Sequence, residues 1–178
     1  LHTAASHKAS PEVLRCILDL RPNATRAKDS WGRTPLWRAA ADPGISSDCL
    51  SMLLNPVDTL IADRSGQFPL HAAACNGVGA SMLAAILGAN PDTIRSLDNN
   101  GRLPLHAACS GGHAEVERLQ FLLDAYPEAV RMVDKQGSLP FHLVCKRKAS
   151  PDVLAFLMEE YPEAVRTPEM ISGAHPFQ

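Results

Sequence analysis

The sequence predicts an all-α solenoid, stacked helix pairs separated by protruding turns and truncated at both ends. Three observations carry this expectation. Pro35, Pro69, Pro104, Pro140 and Pro176 are spaced by 34, 35, 36 and 36 residues, and each follows a glycine by three. Pro22, Pro56, Pro91, Pro127 and Pro162 form a second series spaced by 34, 35, 36 and 35. The first series opens the similar strings PLWRAA, PLHAAA, PLHAAC and PFHLVC, and leucine-rich stretches follow them. A period in this range marks an array of supersecondary units that bury apolar faces against one another, rather than one globular core.

The units follow in order as 1–28 (partial), 29–62, 63–97, 98–133, 134–166 and 167–178 (partial). Leu1-His2-Thr3-Ala4-Ala5 reads as a unit already in progress, and KASPEVL at Lys8 starts its second helix, as KASPDVL at Lys148 does 140 residues later. The unit 29–62 is the least regular, with Trp37 where later units have histidine and Asp42-Pro43-Gly44 in its loop. In 98–133, Asp98-Asn99-Asn100-Gly101 is a turn signal, since Asn and Gly tolerate positive φ. Pro104 suits the first turn of a helix, where its missing N–H is not needed. Leu119, Leu122 and Leu123 then mark the buried stripe of a second helix. That helix stops before Pro127, because the residue preceding proline is pushed out of the α region. Gly173-Ala174-His175-Pro176-Phe177 reads as a further unit beginning. Twelve of the 14 prolines are thus placed, leaving Pro43 and Pro168, the latter beside Met170 where a turn aspartate is missing.

Composition narrows the function classes. Seventeen basic against nineteen acidic residues give a formal charge of −2, so no general basic field marks a nucleic-acid or membrane binder. The longest apolar run, Met82 to Ala89, is far short of the roughly 18 residues a membrane span needs. No signal-peptide pattern opens the chain, and five cysteines without framework spacing imply reduced thiols. The expected setting is intracellular and cytoplasmic, with the nucleus as alternative. Leu1 in place of Met, and ends without polar caps, suggest a piece of a longer protein.

The strings GRTPLWRAA at Gly32, GQFPLHAAA at Gly66, GRLPLHAAC at Gly101 and GSLPFHLVC at Gly137, with Asp29, Asp63, Asp98 and Asp134 opening their turns, resemble the ankyrin repeat over essentially the whole chain. The resemblance implies that His71, His106 and His142 bridge adjacent turns by hydrogen bonds. It also implies that hairpin tips and exposed ends of first helices form one concave, partner-binding side. Departures from the pattern matter. The family's N-cap threonine survives only as Thr34; Phe68, Leu103 and Leu139 replace it, each removing a cap worth roughly 1 kcal/mol, and are expected to pack on the next repeat. Second helices end on proline rather than glycine, so their exits should be tight extended turns, stapled by Tyr126 with Val130 and Tyr161 with Val165.

Chemistry is sparse. His106/Cys109 and His142/Cys145 have the spacing of metal-ligand pairs, but the family pattern makes them structural, and no metal or cofactor is expected. Cys75 is placed at the exposed end of its helix. No nucleophile elbow or phosphate loop occurs, so no enzyme is expected in this segment. Ser10-Pro11 and Ser150-Pro151 read as helix starts rather than phosphorylation sites. The arginines Arg26, Arg95, Arg131 and Arg166 are expected to form local ion pairs with neighbours such as Glu128 and Glu163.

Mapped residue by residue, the partner-binding side receives Trp31, Arg33, Arg64, Gln67, Asn76, Asn99, Asn100, Arg102, Lys135, Gln136, Lys146 and Arg147. Apart from the turn aspartates, its one acid is Asp42, whereas Asp124, Glu128, Glu159, Glu160 and Glu163 collect at second-helix ends. The expected function is recognition of a protein partner, with Trp31 as foremost anchor and an acidic or phosphorylated segment as ligand. Two alternatives are an array serving as regulatory or targeting arm of a larger enzyme or membrane protein, and nucleic-acid binding through the basic tips.

Overall fold

A computed structural model describes residues 1, 2 and 10–167. The expectations for Thr3 to Ala5, Pro168, Met170 and Gly173 to Phe177 lie outside these residues. Among the described residues nine α-helices occur and no strand: α1 (Pro11–Leu20), α2 (Pro35–Ala40), α3 (Ser47–Leu53), α4 (Pro69–Asn76), α5 (Ala80–Ala89), α6 (Pro104–Ser110), α7 (Val116–Ala125), α8 (Pro140–Arg147) and α9 (Pro151–Glu160). The chain is the all-α repeat solenoid its proline spacing predicts.

The inner helices α2, α4, α6 and α8 each carry proline at the start and run six to eight residues. Helices so short do not persist alone in water, so stacking must hold them. Small side chains permit the stacking. Ala39, Ala40, Ala73, Ala74 and Ala108 are fully buried, and α4 packs on α6, α6 on α8 and α2 on α4. The outer helices lay apolar stripes over this spine: Leu83 and Ile86 of α5, Leu119, Leu122 and Leu123 of α7, Val153 and Leu157 of α9. All belong to one continuous core. Truncating Leu122 to alanine would remove packing worth about 2–5 kcal/mol.

The helix exits differ from the extended turn expected. Tyr126 is extended, at φ −150° and ψ 84°, but Pro127 then opens a 3₁₀ helix, Pro127–Arg131. The same device recurs as Pro22–Arg26, Pro91–Arg95 and Pro162–Arg166, while the exit at Pro56 has the shorter Asp58–Leu60. Proline's fixed φ suits the first residue of a 3₁₀ turn as well as that of an α-helix. Tyr126 and Tyr161 do pack against the core, with Val130 buried and Val165 half-buried beside them.

The caps are shared out between repeats. Thr34 Oγ1 accepts from the Trp37 N–H at 3.2 Å. Leu103 and Leu139 cannot do this, but His106 Nδ1 and His142 Nδ1 accept the Leu103 and Leu139 N–H groups at 3.3 and 2.9 Å. Leu103 and Leu139 are thereby freed to pack, and both are buried. Phe68 stays half-exposed and lies over the His71 ring, centroids 5.8 Å apart.

Candidate functional site

Each hairpin tip is built by its aspartate. Oδ1 of Asp29, Asp63, Asp98 and Asp134 accepts two backbone N–H groups, from the residues two and four positions on, at 2.8 to 2.9 Å. Four bonded tips then join edge to edge. The Arg64 N–H donates to the Trp31 carbonyl at 2.9 Å, Asn99 N–H to Ser65 at 3.0 Å and Lys135 N–H to Asn100 at 2.9 Å. The approach is close enough to demand glycine at Gly66, which sits at φ +78° with Asn99 N only 2.6 Å from where a Cβ would stand.

A second ladder ties each inner histidine either to the following tip or to the end of the exit that precedes it. Nε2–H of His2 donates to the Arg33 carbonyl at 2.8 Å, His71 to Arg102 at 2.8 Å, His106 to Met132 at 3.0 Å and His142 to Thr167 at 2.8 Å. In the irregular repeat the Trp37 indole Nε1–H donates to the Gln67 carbonyl at 2.9 Å. Both nitrogens of His106 and of His142 are therefore committed to backbone. Among the described residues no group of His, Cys, Asp and Glu could hold a metal ion. Burial lowers the His106 imidazole to about 4 and raises the Cys109 thiol. All five cysteines are free thiols. Cys75 is half-buried rather than exposed. Burial pushes its thiol up, against the pull of Arg147 and Arg102, whose charges both reach it.

The twelve candidate residues divide once their contacts are seen. Trp31 is 61% exposed at the first tip, and the Arg33 guanidinium lies 4.3 Å from its ring centroid and 5.3 Å from that of Trp37. Arg33 also pairs with Asp29 at 2.9 Å, and Arg102 Nε donates to Asp134 Oδ2 at 3.0 Å, so both arginines hold the tips in shape. Lys135 Nζ donates to the Asn99 carbonyl and Asn99 Nδ2 to the Arg64 carbonyl, bracing one tip on the next. Asn76 donates back to Ala72 within α4. Gln67 is half-exposed, while Arg64, Asn100, Gln136, Lys146 and Arg147 are exposed. Ser110, Leu143, Gln136, Arg102, Lys146 and Arg147 surround an open cavity of about 300 Å³ between the last two tips and the ends of α6 and α8.

The recurring arginines do not form the local pairs expected of them. Arg26 reaches forward to Asp58 Oδ1 at 3.0 Å. Arg95 lies 5.0 Å from the Tyr126 ring centroid and Arg131 5.5 Å from that of Tyr161. Each of these three spans to the following repeat. Glu128 and Glu163 take part in none of the ion pairs among the described residues.

A helix-pair stack with aspartate-built tips and a histidine ladder is the architecture of a repeat protein. The sequence model of the family described as ankyrin repeats (3 copies) matches residues 1–94 and again 78–167. The chain belongs to the ankyrin-repeat family, whose arrays are in general protein–protein interaction modules. No curated protein matches the chain. Among the described residues no helix is long and apolar enough to cross a membrane.

Proposed function

We propose that this array binds a protein partner on the face formed by its hairpin tips and the exposed ends of α2, α4, α6 and α8, inside the cell and without catalysing a reaction. The observation that carries the reading is Trp31. A tryptophan held 61% exposed by its own Arg33 and by a backbone bond to the next tip is a rigid, preorganised anchor. The ligand segment is acidic, since Arg64, Lys135, Lys146 and Arg147 are on this side and Asp124, Glu128, Glu159, Glu160 and Glu163 are exposed at second-helix ends and exits.

Affinity capture with quantitative mass spectrometry tests this, using the wild type, Trp31→Ala, Arg64→Glu and, at a second-helix end, Glu159→Ala. Partners retained by wild type and Glu159→Ala and lost by both tip variants are expected. An unchanged set of captured proteins in the tip variants would remove the reading. Arg102→Glu is a poor probe, because it would release Asp134 and disturb the tip itself.

A further inference from the structure

We infer that the cavity between Arg102, Gln136, Lys146 and Arg147 receives a phosphorylated side chain of the partner. This deepens the protein-binding reading above and rests on it. Three cations line the cavity, and none of its lining residues is acidic. Asp134 takes Nε of Arg102 from within the tip, which fixes the guanidinium plane and leaves the two Nη groups out of that bond. Lys146 and Arg147 form the last turn of α8, where the helix carbonyls favour cations. The turn is held in place by Lys148, which closes the helix at φ 53°. Arg102 and Arg147 come from different repeats yet line the same cavity.

The wall chemistry selects among anions. Ser110 Oγ donates to the Ala107 carbonyl, and the other polar side chains of the wall are the three cations and the Gln136 amide. Leu143, 5% exposed, supplies an apolar floor for the methylene or methyl of a phosphoserine or phosphothreonine. A phosphomonoester brings about −1.5 to −2 charges and three acceptor oxygens, against one charge and two oxygens for Asp or Glu. Three converging cations match the former better. A volume of about 300 Å³ is at the small end of ligand cavities, suited to one side chain.

Fluorescence anisotropy with a labelled degenerate pool of phosphoserine peptides, the same pool with serine, and a labelled single-stranded oligonucleotide tests the inference. The phosphorylated pool should bind about tenfold or more tightly than the serine pool, and inorganic phosphate should compete. Lys146→Glu with Arg147→Glu should abolish that preference while the thermal melt stays cooperative. Equal binding of the two peptide pools overturns the inference. So does a preference that survives the double variant, or tighter binding of the oligonucleotide. Failure here, with partner capture still lost in Trp31→Ala, would remove the phosphate pocket alone. An intact phosphate preference with capture indifferent to Trp31 and Arg64 would instead remove the wider face.

Discussion

The Trp37 indole nitrogen donates to the Gln67 carbonyl at 2.9 Å, the bond that His71 makes to Arg102 one repeat later. An apparent irregularity in the sequence therefore preserves the link from inner helix to following tip. Only the donor survives the exchange, because indole has no second nitrogen to accept the N-cap N–H as His106 does. Thr34 supplies a cap of the other kind in that one repeat. Trp37→Phe should keep most of the packing and remove one of the two bonds that the Gln67 carbonyl accepts, the other coming from the Asp63 N–H, at a cost of about 0.5–1.5 kcal/mol in urea unfolding. A loss under about 0.5 kcal/mol would mean that the ladder bond is dispensable.

Acid should loosen the stack through the histidines. Burial lowers His106 from 6.5 to about 4, and His71 shifts in the same direction. Below about pH 6.5 the unfolded chain takes up a proton that the native imidazole refuses. Stability is fully present above that pH, falls as the pH drops, and its loss through His106 is complete near 4. The slope is at most about 1.4 kcal/mol per pH unit per histidine. Asp29 and Asp134 act only at lower pH; burial would raise both, but bonds from backbone N–H groups and arginine outweigh it and hold them below the usual carboxylate range. Urea midpoints at pH 7, 6 and 5 should fall in that order, and equal midpoints would contradict the burial argument.

Prolines made the array legible because each marks a place where an N–H is unneeded, and such places recur with the repeat. The leucine stripe of α7 was legible for the same reason, as a period within one helix. What lay out of reach were contacts between repeats. Arg131 is three residues from Glu128 in sequence, and nothing in the spacing shows that Tyr161 of the next exit is what its guanidinium meets. Likewise Arg102 reads as a surface cation until stacking places Asp134 beside it. One signal was available for Arg33, which stands four residues after Asp29 within a single tight turn.

Asp98 Oδ2 is buried without a hydrogen-bond partner, whereas the equivalent oxygen of Asp134 accepts from Arg102. The residue matching Arg102 in the preceding tip is Gln67. Gln67→Arg should therefore supply the missing donor and stabilise the array by about 1 kcal/mol, read as a raised urea midpoint. An unchanged or lowered midpoint would show that the arginine cannot reach.

Two glycines should respond in opposite directions to alanine. A Cβ on Gly111 would overlap the Cys75 backbone carbonyl, so the end of α6 closes on α4 only without a side chain. Gly111→Ala is expected to cost about 2 kcal/mol or more, since backbone must move. Gly88, inside α5, would meet nothing within 4 Å, and Gly88→Ala should stabilise by about 0.5–1 kcal/mol through helix propensity. Thermal melts of the two variants decide it, and equal effects would mean that the close approach of α6 and α4 is not what keeps Gly111.

The exit ladder makes a coupling prediction. If Arg131 acts through the Tyr161 ring, a double-mutant cycle of Arg131→Met with Tyr161→Leu should show about 0.5–1 kcal/mol of interaction. The corresponding cycle of Arg131→Met with Glu128→Gln should show close to none, because Glu128 is exposed and outside the pairs that the stack forms. Raising salt should weaken the first coupling little, as guanidinium and ring centroid are 5.5 Å apart, inside the Debye length of about 8 Å at 0.15 M. Coupling to Glu128 in place of Tyr161 would return Arg131 to pairing within its own repeat and remove it from the cohesion between neighbours.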